Sequence, residues 1–264
     1  MNKFLKKISI LTLACLLNVN SVLACDIKSD NLCSKVDLES MNSNFQNKTS
    51  ELPSCILCKI VSKGIDMTGR KSLVLCQNSS FIANADLGSI VEGYVLITCK
   101  RHINSMGELN DKEYSDFVKI QEDVRKGLKK IYGKNCICFE HGSGKNNQEV
   151  AASSIKHAHF HMVAIDKFED TIHEKIITDM EMFTIENQRE LKNYADKPYI
   201  YYTSGDGKQY LSTKDKMESQ YMRKRIADQF NKEYNWKDEN VRKSFKENVL
   251  ATEEKWKKYL EENA

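Results

Sequence analysis

Apolar positions along this chain recur with two distinct periods. Short runs at Ser72–Cys76, Phe81–Ala85 and Tyr94–Cys99 are bounded by Asn, Ser or Gly, the punctuation that antiparallel strands require. Tyr114, Phe117, Val118, Gln121, Val124, Leu128 and Ile131 then repeat at helical spacing. That helix opens on Asn110-Asp111-Lys112-Glu113, an Asn cap with a glutamate three residues on, and Gly133 ends it. Cys136–Glu140 predicts another strand, His141–Ser154 a polar loop, and His157–Ile165 a strand. Thr171–Arg189 predicts a helix, and Tyr199–Leu211 a hairpin around Gly205-Asp206-Gly207. Charged helices follow over Asp215–Asn231 and Glu239–Glu262. No internal repeat and no clear domain break interrupts the pattern.

The N-terminus follows different rules. Met1–Lys7 carries three lysines, Ile8–Leu17 is an apolar run too short to span a bilayer comfortably, and Val22-Leu23-Ala24-Cys25 offers a cleavage site. Residues 1–24 therefore predict a signal peptide, with the product periplasmic or, through Cys25, lipid-anchored in a bacterium. A cytoplasmic protein with an apolar N-terminal helix is the alternative. Residues 25–53, rich in Ser, Asn, Asp and Lys, predict a poorly ordered linker. The folded part then divides into 54–190, carrying the site, and 191–264, a hairpin and helical extension packed on the same domain.

Composition narrows the classes. The 264 residues, 41% hydrophobic and 29% charged, suffice for one sizeable core or two small ones, which excludes disorder or coiled coil as the main architecture. A formal charge of only +3 gives no broad footprint for extended nucleic acid. Nine cysteines in an exported chain predict disulfides first. Cys55-Ile56-Leu57-Cys58 argues in part otherwise, because that spacing puts two thiolates on one tight turn, suited to zinc and equally to a redox pair. Cys76, Cys99, Cys136 and Cys138 lie in apolar runs and read as small buried hydrophobes.

The densest chemistry lies in His157-Ala158-His159-Phe160-His161-Met162-Val163. Period two puts all three imidazoles on one face, while Ala158, Phe160 and Met162 face the core. Three stacked imidazoles have no packing rationale, and a rigid strand is what a catalytic group needs. The ordinary alternatives are a surface metal site or a ladder of mutually satisfied histidines.

This run resembles the signature of the histidine triad (HIT) family of nucleotide hydrolases and transferases. The resemblance extends to Cys55-Ile56-Leu57-Cys58-Lys59-Ile60, similar to the family's N-terminal zinc turn, and to Gly93–Ile97 and Lys100-Arg101-His102-Ile103. Phe139-Glu140-His141-Gly142 is similar to the stretch before its phosphate loop, and Ser219–Lys224 with the Trp236 region resembles the C-terminal extension of one bacterial branch. The fold so implied is α+β: a five-stranded antiparallel sheet with flanking helices and a C-terminal helical extension, paired into a homodimer.

The resemblance also implies roles. His159 is the nucleophile that forms a nucleotidyl-histidine intermediate, a backbone carbonyl near His157 accepts its Nδ1 proton, and His161 bonds a phosphate or leaving-group oxygen. Ser154 assists the leaving group, or is an ordinary strand-end cap. Loop amides of Gly142, Ser143 and Gly144 neutralise phosphoryl charge, and Asp86 accepts the ribose hydroxyls, unless it is simply a turn aspartate. Cys55, Cys58, His102 and His157 form a closed structural Zn2+ site, with no organic cofactor expected. His141 reads as a loop histidine, and Tyr94 stands where the family frequently has histidine.

Three functions compete at this level. The first is a hydrolase or nucleotidyl transferase acting on the α-phosphate of a dinucleoside polyphosphate, nucleoside phosphoramidate or nucleotide-sugar. The second is a non-catalytic zinc- and nucleotide-binding module in the periplasm. The third is a redox protein resting on Cys55 and Cys58.

Overall fold

The computed structural model describes residues 55–64, 70–144, 155–215, 218–235 and 238–263, all within one compact unit. The signal, linker, Cys25, Ser154 and Trp236 expectations lie outside the described residues.

Helix α1 (Ile56–Lys63) precedes strands β1 (Val74–Gln77), β2 (Phe81–Ala85) and β3 (Tyr94–Cys99). Next come α2 (Asp111–Tyr132), β4 (Ile137–Gly142), β5 (His159–Val163), α3 (Asp170–Asp179) and β6 (Phe183–Ile185). Strands β7 (Tyr199–Thr203) and β8 (Gln209–Ser212) and helices α4 (Tyr221–Gln229) and α5 (Glu239–Glu262) complete the order. The sheet runs β1-β2-β3-β5-β4-β7-β8-β6, with every pair antiparallel. The α+β class and flanking helices are as expected, and the five strands foreseen are the contiguous first five in that order. The sheet then continues to eight, because β7 pairs with β4 through Cys138↔Thr203 to Gly142↔Tyr199 and carries β8 and β6 with it.

Local chemistry sets these elements. The Asn110 side chain accepts the Glu113 N–H while Glu113 accepts the Asn110 N–H, a reciprocal cap that satisfies two of the donors a helix start leaves open. Gly133 ends α2 at φ 67°, a conformation in which an added Cβ would strain. The long helix expected over Thr171–Arg189 is instead α3, then β6, then a 3-10 turn over Gln188–Tyr194. Glu181 adopts φ 50° just past α3, which turns the chain, and Phe183–Ile185 gains a β8 partner that outweighs helical periodicity. Likewise α4 is shorter than Asp215–Asn231, since Gln220 sits at φ 63° and starts the helix only at Tyr221.

Two apolar layers form on the two sides of the sheet. One joins Phe81, Val95, Phe160, Met162 and Tyr201 to Phe117 and Leu128 of α2 and to Trp256 of α5. The other joins Tyr94, Phe139, Val163 and Ile200 to Ile176 of α3 and to Met222 and Ile226 of α4. His159 and His161 lie on this second side, beside α4.

Of the buried cysteines, Cys99, Cys136 and Cys138 are free thiols. Cys76 departs from its expectation as a simple buried hydrophobe, for it is disulfide-bonded.

Candidate active site and metal centre

Strand β5 is clamped between β3 and β4, with Leu96↔His161, Thr98↔His159 and Phe139↔His161 in register. Alternation sends Ala158, Phe160 and Met162 into the first core and leaves His159 and His161 on the opposite face, as the period-two pattern requires.

His159 donates its Nδ1–H to the His157 carbonyl at 2.6 Å. That bond fixes the tautomer and leaves the Nε2 lone pair as the reactive atom. Burial holds the His159 pKa below its usual value, so the ring is neutral and nucleophilic near pH 7. His161 stacks on Phe139 with centroids 4.4 Å apart and lies edge-on to His159 at 5.0 Å. Its Nδ1 sits 3.3 Å from Asp86 Oδ2 and 3.3 Å from Tyr94 Oη. Burial pushes the His161 pKa down to about 3, so the contact with Asp86 is a hydrogen bond of a neutral ring rather than an ion pair.

Asp86 does not present the open carboxylate that ribose recognition needs. Its Oδ1 accepts the Gly88 N–H at 2.7 Å, and its Oδ2 takes Arg223 Nη2 and faces His161. Burial works to raise its pKa, but Arg223, His161 and the Gly88 N–H together hold it well below the usual carboxylate range. Both oxygens thus already face protein donors, which compete with the expected ribose diol for Asp86.

The segment expected to supply phosphate-loop amides is described only as far as Gly144. Gly142 belongs to β4, where a Cβ would lie 2.4 Å from the Tyr199 ring. The Ser143 N–H donates to the Asn104 carbonyl at 3.2 Å, and a Cβ on Gly144 would lie 2.7 Å from the Asp196 carbonyl oxygen. The Tyr199 ring beside Gly142 and the Asp196 backbone beside Gly144 fill the space a side chain would take, and the Ser143 amide is bonded to the Asn104 carbonyl.

Two residues beside His161 and Asp86 were missed in the sequence. His141 is in β4, not a loop, on the face shared by Phe139 and His161. It is 6% exposed, and its Nε2 has no hydrogen-bond partner among the described residues. Strand parity from Phe139 could have found it, had the expected strand been extended by one residue. Arg223 of α4 reaches Asp86 across 137 residues of sequence, and no local signal announces that pairing.

His157 leads away from this face. Its Nε2–H donates to the Cys99 carbonyl at 2.7 Å, which turns the Nδ1 lone pair toward two sulfurs, Cys55 Sγ and Cys58 Sγ, each at 3.4 Å. His102 Nδ1 is 3.2 Å from Cys58 Sγ, and the four ligand atoms lie within 4.8 Å of one another. Cys55 caps α1 and Cys58 occupies its first turn, so the C-x-x-C spacing is realised at a helix start. Burial and the neighbouring Cys55 push the Cys58 thiol up to about 12. The four residues together can hold a metal ion.

Part of the chain is similar to known proteins. Residues 68–168 match the HIT domain model. An uncharacterised HIT-like protein of Methanocaldococcus jannaschii is 28% identical over 111 residues, 41% of this chain and 77% of that protein. A bis(5'-adenosyl)-triphosphatase of Dictyostelium discoideum is 23% identical over 127 residues, 48% of this chain and 79% of that protein. A solved HIT family structure from Bacillus subtilis aligns at 18% identity and TM-score 0.35, covering 42% of this chain and 73% of that one. The domain match, residues 68–168, embraces β5 and its histidines, so this part of the chain is similar to HIT domains.

Proposed function

We propose that this chain is a hydrolase or nucleotidyl transferase that attacks the α-phosphate of a dinucleoside polyphosphate, nucleoside phosphoramidate or nucleotide-sugar. The observation that carries this reading is the His159 Nδ1–H bond to the His157 carbonyl beside a buried, neutral His161. The domain match and the similarity to a relative named as a bis(5'-adenosyl)-triphosphatase support it.

In the first step His159 Nε2 donates its electron pair to the α-phosphorus while the bond from phosphorus to the leaving-group oxygen or nitrogen breaks. The leaving group departs with that bond's electrons and takes a proton, for which His161 and the Ser154 hydroxyl are the proposed contacts. Water or an acceptor then attacks the phosphorus from the vacated side, the N–P bond breaks, and His159 recovers its lone pair. Splitting one hard displacement in two lowers each barrier. Rigid placement of the imidazole between β3 and β4 supplies the orientation that this exchange needs.

Cys55, Cys58, His102 and His157 are proposed to hold zinc. The three closest pairs of sulfur and ring nitrogen stand 3.2 to 3.4 Å apart, near enough for one ion to be held among them. Such a closed site supplies structural cross-linking rather than an activated water. The Cys99 carbonyl orients His157 for that task, and His157 in turn offers the carbonyl that orients His159.

Export through residues 1–24, with or without a lipid anchor at Cys25, and pairing into a homodimer complete the proposal. The Cys76 disulfide fits an oxidising compartment.

The test is chromatographic detection of nucleoside monophosphate from diadenosine polyphosphates, adenosine phosphoramidate and nucleotide-sugars, with wild type beside His159→Ala. Release by wild type alone, with ligand binding retained in the variant, supports the reading. No release by folded, zinc-loaded wild type replaces it with the binding module.

A further inference from the structure

Helix α4 lies outside residues 68–168, yet it places a guanidinium at the back of the catalytic face. Arg223 Nη2 pairs with Asp86 Oδ2, Nη1 donates to the Gly88 carbonyl at 3.2 Å, and the cation lies 5.2 Å over the Tyr94 ring. Three independent contacts hold it, and its side chain is 13% exposed. Gly88 is the space that admits it, since an ideal Cβ there would lie 2.3 Å from Arg223 Nη1.

The consequence reaches His161. Its Nδ1 faces two groups of opposite preference at equal distance, Asp86 Oδ2 and Tyr94 Oη, each 3.3 Å away. An ionised Asp86 can only accept, so it selects the tautomer with hydrogen on Nδ1. A neutral Asp86 would lose that preference, and the Tyr94 hydroxyl or the protonated carboxyl would donate to Nδ1, moving the ring hydrogen to Nε2. The other charged or titratable groups near this contact are His159 on the same strand, His141 on β4 and Tyr234 beyond α4. Among the groups facing Asp86, Arg223 is the permanent cation, and a carboxylate buried without one would take up a proton.

We propose that Arg223 is a positioning residue: by keeping Asp86 ionised and anchored, it fixes His161 with hydrogen on Nδ1 and the Nε2 lone pair toward the reacting phosphate. This rests on the proposed nucleotidyl transfer for its functional meaning, though the tautomer itself does not. His161 Nε2 then donates to a phosphate or leaving-group oxygen only after it has taken up a proton, and Asp86 stabilises the imidazolium so formed. One proton enters at Nε2 from solvent water as substrate binds and passes to the leaving group as the bond to phosphorus breaks, while the Nδ1–H stays on the ring and Asp86 remains a carboxylate. The C-terminal extension thus completes the site by one charge.

The test is nitrogen-15 NMR of histidine-labelled, zinc-loaded full chain, which reports which ring nitrogen carries hydrogen. Wild-type His161 is expected as the Nδ1–H form, and Arg223→Gln and Asp86→Asn are each expected to convert it to Nε2–H. Denaturation midpoint and zinc content confirm that each variant is folded, and Asp86→Asn carries the test if Arg223→Gln is not. Turnover of a substrate identified in the panel should fall on the order of 10- to 100-fold in kcat for Arg223→Gln, with KM within about threefold. Wild-type His161 found as Nε2–H, or a tautomer unchanged in a folded Arg223→Gln, overturns the proposal. If His159→Ala keeps full turnover while the tautomer still converts, nucleotidyl transfer fails and the positioning role of Arg223 stands.

Discussion

Replacing Trp256 tests whether the C-terminal helix is integral to the domain or an appendage. The indole is 1% exposed, its Nε1–H donates to the Leu75 carbonyl of β1 at 2.8 Å, and its ring lies edge-on to Tyr259 with centroids 5.8 Å apart. It fills the space over Gly127 of α2, where a Cβ would lie 2.5 Å from the indole Cη2. Truncation to alanine removes that packing at a cost of about 3 to 5 kcal/mol. Loss of the donor to a buried carbonyl adds about 1 kcal/mol or more. Trp256→Ala should therefore cost roughly 4 to 6 kcal/mol, a large part of the stability of an ordinary domain. Trp256→Phe keeps most of the packing and loses the N–H, so it should cost about 1 to 3 kcal/mol. Urea denaturation of the full chain, followed by far-ultraviolet circular dichroism, measures both. A cost below about 1.5 kcal/mol for Trp256→Ala would refute the assignment of α5 to the core. The consequence extends to the site, because α5 also fixes the segment leading into β3. Thr252 Oγ1 accepts the Gly93 N–H at 3.0 Å, and Asn248 Nδ2 donates to the Ser89 carbonyl at 2.8 Å. That segment presents Asp86 and Tyr94 to His161.

Four further outcomes follow from the same structure. X-ray absorption on purified protein should show one zinc per chain with two sulfur and two nitrogen ligands, and Cys58→Ala should lose the metal and melt at lower temperature. Because Asp86 is committed to Arg223, a 2'-deoxy substrate should turn over within about threefold of its ribose counterpart in kcat/KM, whereas loss of a hydrogen bond to a free carboxylate would cost about 10-fold or more. His141→Ala should lower kcat by about 10-fold or more if its unpartnered Nε2 meets the substrate, and an unchanged kcat would remove it from the site. His161 is held neutral, with its pKa lowered from 6.5 to about 3, so folding stability it contributes is complete above pH 6.5 and is lost as pH falls toward 3. His161→Gln should therefore show a shallower loss of stability across that window in denaturation measured at stepped pH.

Local sequence rules located what local forces decide. Strands β2 and β3 fall where the apolar runs place them, and α2 begins on the Asn110 to Glu113 cap and ends at Gly133. The histidine strand is legible because alternation is a property of the backbone itself. Cys55, Cys58, His102 and His157 were brought together only by a resemblance, and the structure gathers them at the start of α1, after β3 and before β5. What escaped depends on distant partners. Thr184 and Ile185 leave the helical pattern because β8 pairs with them, and Glu181 turns the chain at φ 50°. Gly142 looked like a phosphate-loop glycine, yet its missing side chain makes room for Tyr199, contributed by the paired strand β7. Asp86 looked free in its turn, and its occupant comes from α4, far along the chain.

The central claim is that His159 Nε2 becomes bonded to phosphorus. Rapid acid-free quenching during turnover of a substrate found in the panel, followed by mass spectrometry of peptides kept at alkaline pH, measures this directly. The account predicts a nucleoside monophosphate adduct on the peptide carrying His157, His159 and His161, localised to His159, labile to acid and absent from His159→Ala. Turnover by wild type with no adduct at any time, while His159→Ala remains fully active, would contradict it.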